Sequence, residues 1–338
     1  MVLNEQAWYR HSGSESDVVV STRVCMGRNL ARFPFPDTAD DAQRESILGI
    51  FKNIFPGESL TEVSLPELPK RELYSLVERH LISPAFLNKA EAGKGLFLSD
   101  AEDVSVMVNE EDHIRIQVMC SGLDLKSVYA KANELDTRIS SKVEYAYDGD
   151  LGYLTQDPTN LGTDMRVSLM LHLPALQETR RIHLLSSTVS KLGLTIRGLY
   201  GEGSRAEGAL YQLSNQVTLG ITEQEAVDNL EAIALQVIRE ERNARNQLTQ
   251  NPILEDQLWR SLGVLKTARL LTHEECSRLL SHLRMGVGMG LVDTVSMDTL
   301  CELFCEIQPA TLMAIAGEDL DVNARDAKRA ELVRAKLA

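Results

Sequence analysis

Apolar and polar residues alternate with a period of two in short stretches across residues 1 to about 220. Val104-Ser105-Val106-Met107-Val108 is one such run, and Ile114, Ile116 and Val118 resume the alternation after a polar break. Successive side chains leave opposite faces of a sheet, so the pattern predicts half-buried strands. Strands are predicted at 96–99, 104–108, 114–119, 143–147, 167–173 and 194–199, with glycines and prolines between them. Helical spacing predicts helices over 40–54, 70–79, 126–140 and 179–192. No regular strand-helix-strand rhythm runs through this part. The predicted class is therefore α+β, a mainly antiparallel sheet flanked by helices. The pattern changes near residue 221. Thr222-Glu223-Gln224-Glu225 is a capping box opening a helix to about residue 247, and Asn251-Pro252 breaks it. Thr272-His273-Glu274-Glu275 is a second capping box, and helical spacing continues to the C-terminus. The predicted division is an α+β domain over 1–245 and an all-α domain over 246–338. Gly286, Gly288 and Gly290 follow no strand, so they read as a helix break and not as a dinucleotide fingerprint.

The polar break at Asn109-Glu110-Glu111-Asp112-His113-Ile114-Arg115 is the densest chemistry in the chain. On a period of two, Glu111, His113, Arg115 and Gln117 share one face. A carboxylate able to take a proton and an arginine able to grip a phosphate then point together off a sheet edge. A solvated turn leading into a surface strand fits the same residues. Arg23, Arg166 and Arg197 also stand where glycine-containing turns meet strands. There is no GxxxxGK[ST] loop and no HRD or DFG set, so any phosphate binding must use side chains.

The chain has 338 residues, 43% of them hydrophobic, and a net charge of -14. With no long-range positive field, broad binding to nucleic acid or to an anionic membrane is not expected, while a local arginine cluster for one phosphate remains compatible. Cys25, Cys120, Cys276, Cys301 and Cys305 show no zinc-like spacing, so reduced, packed thiols are expected and no protein metal site. The N-terminus carries no signal-peptide pattern, and no apolar run approaches the roughly 18 residues of a bilayer span. The expectation is a cytoplasmic protein.

Four segments together carry a family resemblance: Ser21-Thr22-Arg23-Val24, Glu78-Arg79-His80-Leu81-Ile82-Ser83-Pro84, Val108 to Arg115, and Pro158-Thr159-Asn160-Leu161-Gly162-Thr163. They resemble the phosphagen (guanidino) kinase superfamily over about residues 15–245. Within it the chain is similar to the bacterial protein arginine kinases of the McsB type. Arg197 to Ser204 and Tyr211 to Gly220 are similar to that branch. The first arginine motif begins at residue 21, without the helical N-terminal domain of small-molecule guanidino kinases, and a helical domain follows instead. Near the C-terminus, Arg325-Asp326-Ala327-Lys328-Arg329-Ala330 is similar to the RDxxRA motif of that branch.

The resemblance implies transfer of a phosphoryl group from ATP, with Mg2+, to arginine side chains of proteins. It implies Glu111 as the catalytic base and Glu202 as a second carboxylate. Nucleotide contacts are implied for Ser21, Thr22, Arg23, Val24, Cys25, His80, Arg115, Arg166, Val167, Ser168, Leu169 and Met170, and for Arg197, Gly198, Leu199, Tyr200, Gly201 and Glu202. Asp157 and Asn160 fall at the substrate guanidinium, and Arg325, Asp326, Arg329 and Ala330 at an allosteric phosphoarginine pocket. The implied partners are protein substrates with an exposed arginine, a zinc-binding activator protein, a Clp unfoldase and a second copy of the chain, the mark sending proteins to Clp-type proteolysis.

Three positions depart from the family pattern. Cys25 stands where a second arginine is usual, Asp157 where a cysteine is usual, and Asp164 where a glycine is usual. Losing one charged clamp costs about 2–4 kcal/mol of transition-state stabilisation, roughly 30- to 1000-fold in rate. Slow catalysis is thus one expectation, and a catalytically weak or inactive phosphoarginine-binding adaptor on the same fold is the alternative reading.

Overall fold

The computed structural model describes residues 4–55, 59–87, 92–198, 207–249 and 251–338. Its central strand is β1 (Val19–Arg28). β1 pairs with β5 (Ile114–Ser121) on one side and β8 (Met165–His172) on the other. Outward from β5 come β4 (Val104–Val108), β3 (Gly95–Ser99) and β2 (Leu60–Val63). Outward from β8 come β10 (Leu210–Asn215) and β9 (Leu194–Gly198). Every pairing in this sheet is antiparallel, in agreement with the class predicted from the alternation. A separate ribbon joins β6 (Tyr147–Asp148) to β7 (Gly152–Tyr153).

Three strands of the eight-stranded sheet escape the sequence pattern, β1, β2 and β10, as does β7 of the ribbon. β1 is hidden because a central strand is covered on both faces, so Val20, Cys25 and Gly27 are buried like the core-facing Val24 and Met26. Arg23 therefore lies in mid-strand and not at a turn. Two predicted elements are corrected. Of 143–147 only Tyr147 is in a strand, since Tyr145 meets just a single bridge to Leu30. The helix predicted over 179–192 is shorter, α6 (Ile182–Ser190), and a separate short helix, α5 (Pro174–Glu178), precedes it. They are separated where Arg180 takes a left-handed φ of 56°, which no helix continues through.

One face of the sheet is sealed by α1 (Asp41–Ile54), α4 (Leu125–Ser140) and α7 (Glu223–Leu248). Ile47, Phe51, Val128, Leu135, Leu230 and Ile238 meet Val24, Met26, Ile114, Ile116, Val167 and Leu169 in one core. Reciprocal capping boxes, Asp40 with Gln43 and Thr222 with Glu225, start α1 and α7 and satisfy amides that the first helical turn leaves unbonded.

Near the other face lie α2 (Lys70–Glu78), α3 (Pro84–Leu87) and part of the C-terminal helices. The last five are α8 (Pro252–Thr267), α9 (His273–Gly288), α10 (Met297–Glu306), α11 (Pro309–Ala316) and α12 (Val322–Lys336). Asn251 and Thr272 cap α8 and α9, and Gly290, with φ 70°, follows the end of α9. Leu262, Leu279, Leu283, Leu303 and Val333 form their own core. Glu78 docks this part: its carboxylate accepts from the backbone amides of Ala310 (2.9 Å) and Thr311 (2.7 Å). An anion at a helix N-terminus is favoured by both the free amides and the helix dipole. Arg10 adds ion pairs to Glu302 and Glu306. Among the described residues no single helix is long and apolar enough to cross a membrane. All five cysteines are free thiols.

Candidate functional site

Strand register builds the site. On β1, Arg23 lies between Met119 and Ser168, Cys25 between Gln117 and Arg166, and Gly27 opposite Arg115. Side chains of Arg23, Cys25 and Gly27 and of their partners leave the same sheet face, away from α1, α4 and α7. Arg23, Arg115 and Arg166 thereby meet in one cavity of about 330 Å³, whose remaining lining includes Glu110, Glu111, Asp157, Asn160 and Asp164. Alternate residues of the two runs implied in nucleotide binding point the other way. Val24, Val167 and Leu169 are core residues, and the Thr22 hydroxyl donates to the Gly122 carbonyl at 2.6 Å. Ser21, His80, Ser168 and Met170 line a second cavity of about 340 Å³ that shares Arg23 and Gln212 with the first. Arg197 is exposed on β9 across from Gln212, with Gly198 beside it. Leu199, Tyr200, Gly201 and Glu202 lie outside the described residues.

The acidic segment is the turn joining β4 to β5, inside the sheet order and not at a lateral edge. Asn109 takes a left-handed φ of 55°, a region asparagine tolerates better than most residues. Its amide donates to the Arg44 carbonyl at 3.0 Å and to the Gly93 carbonyl at 2.7 Å. Asp112 accepts from the Gln156 amide at 3.0 Å and from the Asn29 side chain. His113 Nδ1 accepts from the Leu30 amide at 2.9 Å, so the proton sits on Nε2 and is donated to the Pro34 carbonyl at 2.8 Å. Burial lowers its pKa and keeps the ring neutral. The expected common face of Glu111, His113, Arg115 and Gln117 is corrected accordingly. The two-residue period does not extend through a turn, so His113 faces inward while Arg115 and Gln117 keep the site face.

Two adjacent carboxylates are driven apart. Burial pushes Glu110 up, but the Arg115 charge, at 3.0 Å, and the Ser83 hydroxyl outweigh it and hold its pKa below the ordinary value. Glu111 is raised, first by burial and then by Asp112, Glu110 and Asp157, with Arg115 opposing. Its one described side-chain contact is Asn160 Nδ2 at 3.4 Å. Glu110 thus stays charged and orients Arg115, whereas Glu111 takes up a proton more readily than an ordinary glutamate. Sequence reasoning gave Glu110 no role. The signal available was Arg115 five residues on, across a tight turn.

The three departures sit inside the first cavity. Cys25 Sγ lies 3.5 Å from Gln117 Oε1, in the middle of the arginine face. Asp157 accepts from the Thr159 amide at 2.9 Å, and that bond holds its pKa low. Asp164 adopts a left-handed φ of 43° and rests on Gly27, where an added Cβ would come within 2.3 Å of its Oδ2. Its Oδ2 is buried without a partner. Burial, then Asp112, pushes its pKa up to about 8, although Arg28 and Arg115 pull the other way. His80, in the second cavity, is pushed down to about 4 by burial and by Arg23, so its ring is neutral.

In α12 the two motif arginines differ. Arg329 is buried: Nε donates to the Ile307 carbonyl at 2.9 Å, and Nη1 to the Leu271 carbonyl at 2.8 Å and Asp326 at 2.7 Å. Arg325 is half-buried, and Ala330 packs in the helical core. Arg329 therefore closes the C-terminal end of α10, whose cap is Ile307.

The family description "ATP:guanido phosphotransferase, C-terminal catalytic domain" matches residues 45–244, and "Protein-arginine kinase McsB C-terminal domain" matches residues 251–338. A protein-arginine kinase of Desulforamulus reducens is 44% identical over 339 aligned positions, covering 98% of this chain and 95% of the relative. One of Halothermothrix orenii is 42% identical over 342 positions, covering 99% and 97%. Among solved structures, lombricine kinase is similar with a TM-score of 0.61 at 24% identity, over 68% of each chain. The duplicated taurocyamine kinase of Schistosoma mansoni has a TM-score of 0.63 at 22% identity, over 79% of this chain and 42% of that one. At these identities the structural likeness speaks to the fold alone.

Proposed function

The chain belongs to the ATP:guanido phosphotransferase family and, within it, to the protein-arginine kinases, and on that footing we propose that the first cavity is where it passes the γ-phosphoryl group of MgATP to arginine side chains of proteins. The observation that carries this assignment is Glu111: a carboxylate with a raised pKa, on the wall of a cavity shared with three arginines. A guanidinium, with a pKa above about 12, is a poor nucleophile until a proton leaves it. Glu111 accepts that proton from the attacking nitrogen as the N–P bond forms. The bond from the γ-phosphorus to the bridging oxygen breaks, and its electron pair stays on ADP. Arg23, Arg115 and Arg166 balance the phosphate charge throughout, with Mg2+ arriving on the nucleotide as part of the substrate. Asp157 and Asn160 supply an acceptor and an orienting amide for the guanidinium. The free thiols suit a reducing cytoplasm. The test is incubation with MgATP and an arginine-bearing protein, followed by mass spectrometry under neutral handling; absence of phosphoarginine would refute the assignment.

Asp157 supplies a smaller, directional check. Its charge is among those raising Glu111, so Asp157→Asn lowers the Glu111 pKa. The acid limb of the kcat/KM profile is expected to move to lower pH in this variant. A limb that stays in place would dissociate Asp157 from the base.

A further inference from the structure

The second cavity has two walls of different origin. One is the sheet face, with Ser21, Ser168 and Met170. The other is α10, through Cys301, Phe304 and Cys305, from the helical part that follows the catalytic sheet. Phe304 is half-buried, a large aromatic ring left partly uncovered at the cavity. Arg23 and Gln212 line both cavities, so a ligand anchored by its phosphates at Arg23 extends directly into the second.

The chemistry of the walls orients that ligand. The first cavity holds three arginines among carboxylates and suits phosphates and a guanidinium. The second is walled by the aromatic rings of Trp8, Tyr9 and Phe304, by methionine thioethers and by thiols, with serine hydroxyls and the neutral His80 ring at its edge. A purine needs apolar or aromatic surface for its faces and a few polar groups for its rim. Only one orientation of ATP meets both demands. Resting on the assignment of the first cavity above, we propose that α10 forms half of the nucleoside pocket, the base of ATP lying between Ser168 and Met170 on one side and Phe304 and Cys301 on the other.

α10 is held at this distance by contacts already described: Arg10 to Glu302, Glu78 to the start of α11, and Arg329 to the Ile307 carbonyl. Nucleotide affinity then depends on how the C-terminal helices are seated. By thermodynamic linkage, bound nucleotide tightens that seating by the same factor.

The experiment is calorimetric MgATP binding to the full chain, with steady-state kinetics, for the wild type, Phe304→Ala, Phe304→Leu and Arg23→Ala. Phe304→Ala is expected to weaken binding and raise KM for ATP about tenfold, with kcat little changed, and Phe304→Leu to fall between. A second readout needs no variant. Saturating MgATP should slow alkylation of Cys301 in the wild-type protein more than that of Cys276, which is buried in the helical core away from the cavity. Wild-type affinity in Phe304→Ala together with unprotected Cys301, while Arg23→Ala still loses binding, overturns the inference and leaves the first cavity's assignment standing. Wild-type affinity in Arg23→Ala overturns that assignment, and the inference with it.

Discussion

Glu111→Gln is expected to lower phosphoarginine formation by roughly 100- to 10,000-fold while MgATP binding stays close to the wild type. Glutamine has nearly the shape of glutamate and keeps the contact with Asn160, so the site is not emptied. What it lacks is a basic oxygen. The proton of the guanidinium then has no acceptor of suitable affinity, since Glu110 is already held by Arg115 and Ser83. The nucleotide still meets Arg23, Arg115 and Arg166, which explains why KM for ATP should hardly move. Single-turnover assays with neutral quenching measure the loss. Retention of more than about a tenth of wild-type turnover would exclude Glu111 as the base, because general-base catalysis contributes far more than that.

Asp164→Asn is expected to have the largest effect on stability, and it is favourable. The folded-state pKa of Asp164, about 8, lies far above the ordinary value of 3.8. The folded protein therefore keeps a proton that the unfolded chain releases. Stability from this group falls as pH rises above about 4 and levels off above about 8. Asparagine removes the dependence, tolerates the left-handed φ and keeps a hydrogen-bonding group against Gly27. The variant should match the wild type near pH 4 and exceed it at pH 8 by an amount on the order of a few kcal/mol. In function, ionised Asp164 would repel phosphates, so KM for ATP should rise in the wild type above pH 8 and stay flat in the variant. Thermal melts across pH 4 to 9 give the answer. Parallel curves for the two proteins would show that Asp164 is not buried as a neutral acid.

Much of this site is legible in the sequence. Glu111, each of the arginines and the Pro158 to Thr163 turn stand in short local motifs, and the parity of β5 put Arg115 and Gln117 on one face. The readings that needed correction share a cause. His113 stands in a turn, where side-chain direction is set by hydrogen bonds to Leu30 and Pro34, residues more than seventy positions away. β1 was illegible because two neighbouring strands and both sheet faces bury it, which erases the alternation by which a surface strand announces itself.

The chain by itself determined the antiparallel α+β class, the capped helices after residue 222 and the guanidino-kinase chemistry, because periodicity, caps and motifs are written in residues close together in sequence. Only the tertiary structure decided which carboxylate is free to act. Glu110 and Glu111 are neighbours of one type, and their pKa values diverge through Arg115, Ser83, Asp112 and Asp157. Only it set Arg329 against the end of α10 and α10 over the second cavity. Burial and electrostatic shifts depend on distances between segments remote in sequence, and those distances exist only once the chain has folded.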